Sequence, residues 1–107
     1  MTLSAAIDPA VLTAAQALDA HDELGYFAAQ NRAGIADLVE VAEVAVVAAR
    51  EVAVGRSDTE LGADPVCVAT SAVALAEREG SDAFAACDTD TMNGYRTDAR
   101  IILRALA

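Results

Sequence analysis

The segment DTDTMNGY at residues 88–95 has the residue types and spacing that come nearest to a chemical site, because two aspartates two positions apart precede Asn-Gly and an aromatic residue. A calcium-binding loop of this kind needs oxygen ligands at positions 1, 3 and 5, glycine at position 6 and a bidentate glutamate at position 12. Counted from Asp88, position 5 is Met92, position 12 is Ala99, and the glycine comes one position late. We therefore predict that no calcium binds here.

Helix capping accounts for the same segment. Asp88 to Thr91 offer side-chain acceptors to the free N–H groups of a following helix, and acidic residues suit the positive end of its dipole. Asn93-Gly94 then lies in the first turn, or else delays the start of the helix to Thr97-Asp98.

The only histidine, His21, lies in the acidic cluster DAHDE at residues 19–23. A metal site in a helical bundle typically uses Glu-x-x-His pairs, and this motif is absent from the sequence. Glu40 and Glu43 of the following helix could face the cluster and form a carboxylate site. The preferred interpretation is a solvated acidic face.

The candidate nucleophiles have no partners close in sequence. Cys67 and Cys87 are twenty residues apart with no C-x-x-C motif, so we predict two reduced, buried cysteines. There is no G-x-S-x-G motif and no glycine-rich phosphate loop. Caps or helix surfaces explain the serines at 4, 57, 71 and 81. We predict no catalytic residue, no cofactor and no bound metal, so the chain is not expected to be an enzyme.

The net charge of −10 argues against two classes of partner. The 107 residues include seven arginines and no lysine, and an acidic chain is repelled by phosphate backbones and by anionic membranes. The stretch at 57–79 faintly resembles a helix-turn-helix, but it carries a single arginine, Arg78, between two glutamates. We expect neither nucleic acid nor membrane as a partner.

The composition also suggests a source and a compartment. Abundant Ala, Val, Asp and Arg without Lys indicate a GC-rich genome, bacterial or phage, with a salt-adapted source as the alternative. The N-terminus lacks the basic and apolar regions of a secretory signal, and the run PVCVATSAVALA is too short to span a bilayer. We expect a cytoplasmic protein, or a virion protein if the source is a phage.

Helix signals dominate the first half of the chain. Asp8-Pro9 is an N-cap followed by proline at the first helical position. The cluster at 19–23 ends or bends this helix, and an apolar run from Tyr26 continues a helical pattern to about Arg32, where Gly34 interrupts it.

The second predicted helix spans residues 36–54. Its charged residues gather on one side and its apolar residues cover the other, an arc wider than a surface helix needs. The apolar arc consists of Leu38, Val41, Ala42, Ala45, Val46, Ala49, Val52 and Ala53. Val47 and Val54 lie near the polar side.

Similar signals organise the second half. Gly55 ends the second helix, SDTE at 57–60 fits a capping box, and Asp64-Pro65 starts a third helix that Gly80 ends. SDAFAAC at 81–87 predicts a short helical piece, and apolar residues at 3–4 spacing predict a last helix to the C-terminus.

The two halves resemble each other. DPAVLTAAQAL from residue 8 matches DPVCVATSAVAL from residue 64 with one insertion, and FAA at 27–29 matches FAA at 84–86. Two helical hairpins related by a pseudo-twofold axis would explain this pattern. The alternative is that two helices use the same cap.

We therefore predict one all-α domain over residues 1–107, a bundle of about four main helices plus a short one, with two pseudo-repeated hairpins as a possible arrangement. The predicted function is a non-catalytic, self-associating structural or accessory component of a bacterial or phage assembly, with protein partners. The candidate interface residues are Val41, Val44, Val46 and Val52, meeting a second copy across a twofold axis. The alternatives are an acidic inhibitor, antitoxin or nucleic-acid mimic that docks on a basic partner, and a small helical metal protein or enzyme.

Overall fold

Four α-helices and one 3₁₀ helix make up the described part of the chain in this computed structural model, which covers residues 8–80, 84 and 87–107. They are α1 (Pro9–His21), α2 (Arg32–Val52), the 3₁₀ helix (Asp58–Ala63), α3 (Pro65–Arg78) and α4 (Thr89–Arg104). Consecutive α-helices pack against each other and α4 also packs against α1, which closes the bundle. The prediction of an all-α bundle with four main helices and a short one is confirmed.

The helix starts follow the capping signals. Asp8 and Asp64 each accept a hydrogen bond from the backbone N–H two residues later, at 2.9 and 2.8 Å, and a proline follows each of them. Ser57 and Glu60 form a reciprocal capping box on the 3₁₀ helix. These side chains satisfy N–H groups that have no partner within the helix.

The connection between α1 and α2 is a series of turns, so the helical run predicted from Tyr26 to Arg32 is wrong. The Asp19 carboxylate accepts hydrogen bonds from the backbone N–H groups of Tyr26 at 3.0 Å and Phe27 at 3.3 Å. Turns here also require positive φ angles at two non-glycine residues, 55° and 54°, which an α-helix does not contain. Consequently α2 begins at Arg32 rather than at residue 36.

Gly34 lies inside α2 and does not interrupt it. The Tyr26 ring packs against its backbone so closely that a Cβ at Gly34 would lie 2.4–2.8 Å from ring atoms. The glycine thus provides room for an aromatic ring that folds back from the preceding turn.

Alanine is the commonest residue in the core. Fully buried alanines come from all four α-helices, and leucine, isoleucine and valine fill the space between them. Small side chains let the helix axes approach closely, which explains how so few aromatic residues suffice. The fully buried alanines are Ala14, Ala15, Ala42, Ala45, Ala49, Ala72, Ala76 and Ala99.

The two halves share an order of elements. Each has an Asp-Pro-capped helix followed by a second helix, and Phe27 and Phe84 both pack, half-buried, against the core. The predicted short helix at 81–87 falls largely outside the described residues. That residues 8–54 superpose on 64–106 stays a prediction.

Candidate interaction surfaces

The segment at 88–95 is the start of α4. Asp88 is the N-cap and accepts a hydrogen bond from the Thr91 backbone N–H at 2.7 Å. This hydrogen bond holds the pKa of the Asp88 carboxyl below its usual value. Asn93 and Gly94 lie within α4 and do not delay its start. Of the two interpretations weighed for this segment, the capping role is the one that the geometry shows.

The acidic residues near His21 do not converge. His21 Nδ1 lies 3.0 Å from Asp22 Oδ1 at a solvent-exposed position. Asp19 is only 7% exposed, and its carboxylate accepts hydrogen bonds from the turn described above. Its assignment to a solvated face is therefore wrong. Glu40 instead lies 3.3 Å from Arg78 Nε. Within the described residues, no group of three or more His, Cys, Asp or Glu is placed to hold a metal ion.

The cysteines and serines have structural roles where the structure describes them. Cys67 is buried as predicted, and burial raises the pKa of its thiol, which disfavours the nucleophilic thiolate. Cys87 is half-buried, less than predicted. Ser71, expected at a cap or on a helix surface, is fully buried and donates a hydrogen bond to the Ala45 carbonyl oxygen at 2.7 Å.

Of the four valines predicted at an interface, one has no exposed side chain. Val46 is 0% exposed, so its side chain belongs to the protein's own core. Val41 and Val44 are half-buried against that core. Val52, at the end of α2, is 50% exposed. Sequence periodicity located the apolar side of α2 but could not separate its buried centre from its edges.

A shallow groove of about 350 Å³ lies on the outside of the α2–α3 pair. Its apolar lining is Val44, Val47 and Ala48 of α2 together with Ala74 of α3, and its acidic lining is Glu43 and Glu51. Val47, which the helical wheel assigned to the polar side, is 45% exposed and lies in this groove. The signal that could have found it is its spacing of three from Val44.

Three arginines are held by carboxylates. Arg50 bridges two of them, with Nη1 at 2.8 Å from Asp8 and Nη2 at 2.6 Å from Asp58. Arg78 joins α3 to α2 through Asp37 at 2.9 Å, and Arg56 pairs with Asp64. These contacts neutralise part of the acidic surface and connect neighbouring elements.

Another three arginines lie on one face of α4. Arg96, Arg100 and Arg104 are spaced four residues apart and line a cleft of about 240 Å³. The opposite wall of the cleft comes from the 3₁₀ helix and the first turns of α3: Gly62, Ala63, Pro65, Val68 and Ala69.

Arg96 lies over the Phe84 ring, 5.2 Å from its centroid. No ion pair joins these three arginines to any described residue. We call this surface the arginine face.

Among the residues described, no helix has both the length and the apolar character that crossing a lipid bilayer requires. Comparisons of the chain with protein-family models, with curated proteins and with solved structures found no significant match.

Proposed function

We propose that this chain is a non-catalytic protein that self-associates through the α2–α3 groove, as a structural or accessory component of a larger assembly. We place it in the cytoplasm, or in a virion if its source is a phage. The observation that carries the proposal is the apolar lining of that groove, in which the Val47 side chain is 45% exposed.

The groove has the character of a contact surface. Val47 lies one helical turn from both Glu43 and Glu51 on α2, and the half-buried Ala48 and Ala74 line the groove beside it. An apolar centre with a charged rim is typical of protein–protein interfaces. Small side chains allow a partner helix to approach closely, so modest apolar area can still be well packed.

Catalysis has little support from the described side chains. The buried Cys67 thiol is shifted away from its reactive form, and His21 lies beside exposed carboxylates at the end of α1. The groove and the cleft are both open features, without an enclosed pocket for a substrate.

The experiment is a measurement of mass in solution across a concentration series by light scattering after size-exclusion chromatography. We expect the wild type to exceed the mass of one chain at high micromolar concentration. Val47→Glu should shift the protein toward the monomer, because it places a charge at the apolar centre of the groove. Val54→Glu is the matched control, since Val54 is 84% exposed and lies outside the groove.

A wild type that stays monomeric at high micromolar concentration would contradict self-association. Equal effects of both substitutions would contradict the groove as the contact surface. This expectation for Val47 differs from the helical-wheel interpretation, in which a glutamate at 47 would face water harmlessly. Val44 is a poorer probe than Val47, because it also packs against the core.

A further inference from the structure

The α2–α3 groove is poorly suited to pair with itself. In an antiparallel contact between two α2 helices centred on Val47, Glu43 of one copy lies opposite Glu51 of the other, because the two are four residues on either side of the centre. Like charges placed opposite each other across an interface oppose association. The net charge of −10 on each chain adds to this repulsion. A twofold contact through this face therefore brings two glutamates together at each end.

The arginine face has the spacing that α2 requires of a partner. Glu43, Val47 and Glu51 are spaced four residues apart, as are Arg96, Arg100 and Arg104. Eight residues of α-helix span about 12 Å, so the two rows have equal length. The two ends of the α2 row are negative and the α4 row is positive, with Arg100 and Arg104 exposed.

The apolar parts of the two surfaces also correspond. The arginines border a cleft whose other wall consists of small, largely apolar residues, of which Ala63, Pro65 and Ala69 are exposed. Val47 stands between the two glutamates, where it could enter that cleft when the charges pair. The groove and the cleft have no lining residue in common, so one molecule can use both at once.

We propose that self-association is head-to-tail: the arginine face of one copy binds the Glu43–Val47–Glu51 face of α2 on the next copy. This inference rests on the proposed function and specifies how the copies meet. Because the two surfaces differ, a pair of bound copies still has one open surface of each kind. Such contacts produce a closed ring or a growing chain rather than a twofold dimer. The twofold pair expected from the sequence is thereby replaced.

The test reverses the charge of each surface separately. Arg100→Glu with Arg104→Glu makes the arginine face acidic, and Glu43→Arg with Glu51→Arg makes the α2 face basic. All four side chains are exposed, so we expect helical circular dichroism spectra equal to that of the wild type. Arg96 is left unchanged because it contacts Phe84. Should a reversed variant fail to fold, the glutamine substitutions at the same positions take its place.

Each double variant alone should associate at least about tenfold more weakly than the wild type, since two like-charged surfaces then face each other. An equimolar mixture should associate again beyond two chains, because the acidic arginine face of one variant then meets the basic α2 face of the other, and the remaining two faces are also complementary. Arg32→Glu is the matched charge reversal outside both surfaces, since Arg32 is exposed, has no ion pair with a described residue and lines neither the cleft nor the groove. It should leave the mass unchanged.

Different results separate the two proposals. A monomeric wild type overturns self-association and this inference together. If the wild type is oligomeric and both charge-reversed variants keep its mass, the head-to-tail mode is overturned and self-association stands. The same conclusion follows if the two variants do not associate when mixed. A short single-stranded oligonucleotide that binds the wild type but not the Arg100→Glu, Arg104→Glu variant would assign the arginine face to a polyanion and also overturn the inference.

Discussion

Single carboxylates in this protein differ in what surrounds them. Asp19 is buried and hydrogen-bonded to two backbone N–H groups, whereas Asp98 is half-buried in α4 without a hydrogen bond to any described residue. Burial raises the pKa of the Asp98 carboxyl, the charge of Asp22 raises it further, and His21 opposes this. The ionised form of Asp98 is therefore less favourable in the folded chain than in the unfolded one.

Asp98→Asn should stabilise the fold at neutral pH by up to about 1 kcal/mol. Because the pKa of Asp98 is raised in the folded chain, its ionised carboxyl destabilises the fold fully at pH values above that pKa. This destabilisation disappears as the pH falls below the pKa of the unfolded chain, since the carboxyl is then protonated in both states. Thermal unfolding of both proteins between pH 7 and pH 3 measures this difference.

Asp90→Asn is the control for that substitution, since Asp90 is exposed in the first turn of the same helix, where a negative charge suits the dipole. It should leave stability unchanged or lower it slightly. Stabilisation by both substitutions alike would point to relief of the overall negative charge and contradict the local explanation.

Helices in this bundle contain glycines for different reasons. Gly34 in α2 faces the Tyr26 ring, whereas Gly94 in α4 has no atom within 4 Å of the place where a Cβ would lie. Neither glycine has a positive φ, so helix propensity favours alanine at both. Packing alone distinguishes the two positions.

Gly34→Ala should destabilise the protein, because its Cβ would overlap the Tyr26 ring and force the 22–31 turn away from α2. Gly94→Ala should stabilise it by about 0.5–1 kcal/mol, the usual gain in an open helical position. Urea unfolding of both variants and the wild type measures the two changes in the free energy of unfolding. Stabilisation by Gly34→Ala would show that the tyrosine ring moves aside without cost.

At the scale of the whole molecule, one arginine connects three elements. Arg50 near the end of α2 reaches the N-cap of α1 at Asp8 and the 3₁₀ helix at Asp58. Its guanidinium lowers the pKa of both carboxyls. The two ion pairs therefore stabilise the fold at pH values above the unfolded aspartate pKa of about 4. This stabilisation is lost as the pH falls through the lowered pKa values of the folded chain.

Arg50→Gln should cost about 1 kcal/mol at pH 7, a modest value because all three side chains are partly exposed. The difference from wild type should shrink as the pH falls below about 4, where the aspartates of the unfolded chain become protonated first. Urea unfolding across this range measures it, with Arg32→Gln as the control. A difference that does not change with pH would mean that Arg50 acts through packing rather than through its ion pairs.

The sequence alone determined the features that depend on neighbouring residues. The Asp-Pro starts, the Ser57–Glu60 capping box and the apolar period of α2 involve contacts within one turn or one helix face, so residue spacing is sufficient to predict them. The all-α bundle follows from them, because amphipathic helices must bury their apolar faces against each other.

Only the tertiary structure decided which apolar residues remain at the surface. Val46 and Val52 both lie on the apolar arc predicted for α2, yet Val46 is in the core and Val52 is 50% exposed, since burial depends on where the neighbouring elements pack. Asp19 is another case, because its partners lie seven and eight residues away in a turn that no periodic pattern describes. The arginine face likewise required the fold: the spacing of its arginines is visible in the sequence, but the cleft beside them exists only because α4 packs against the 3₁₀ helix and α3.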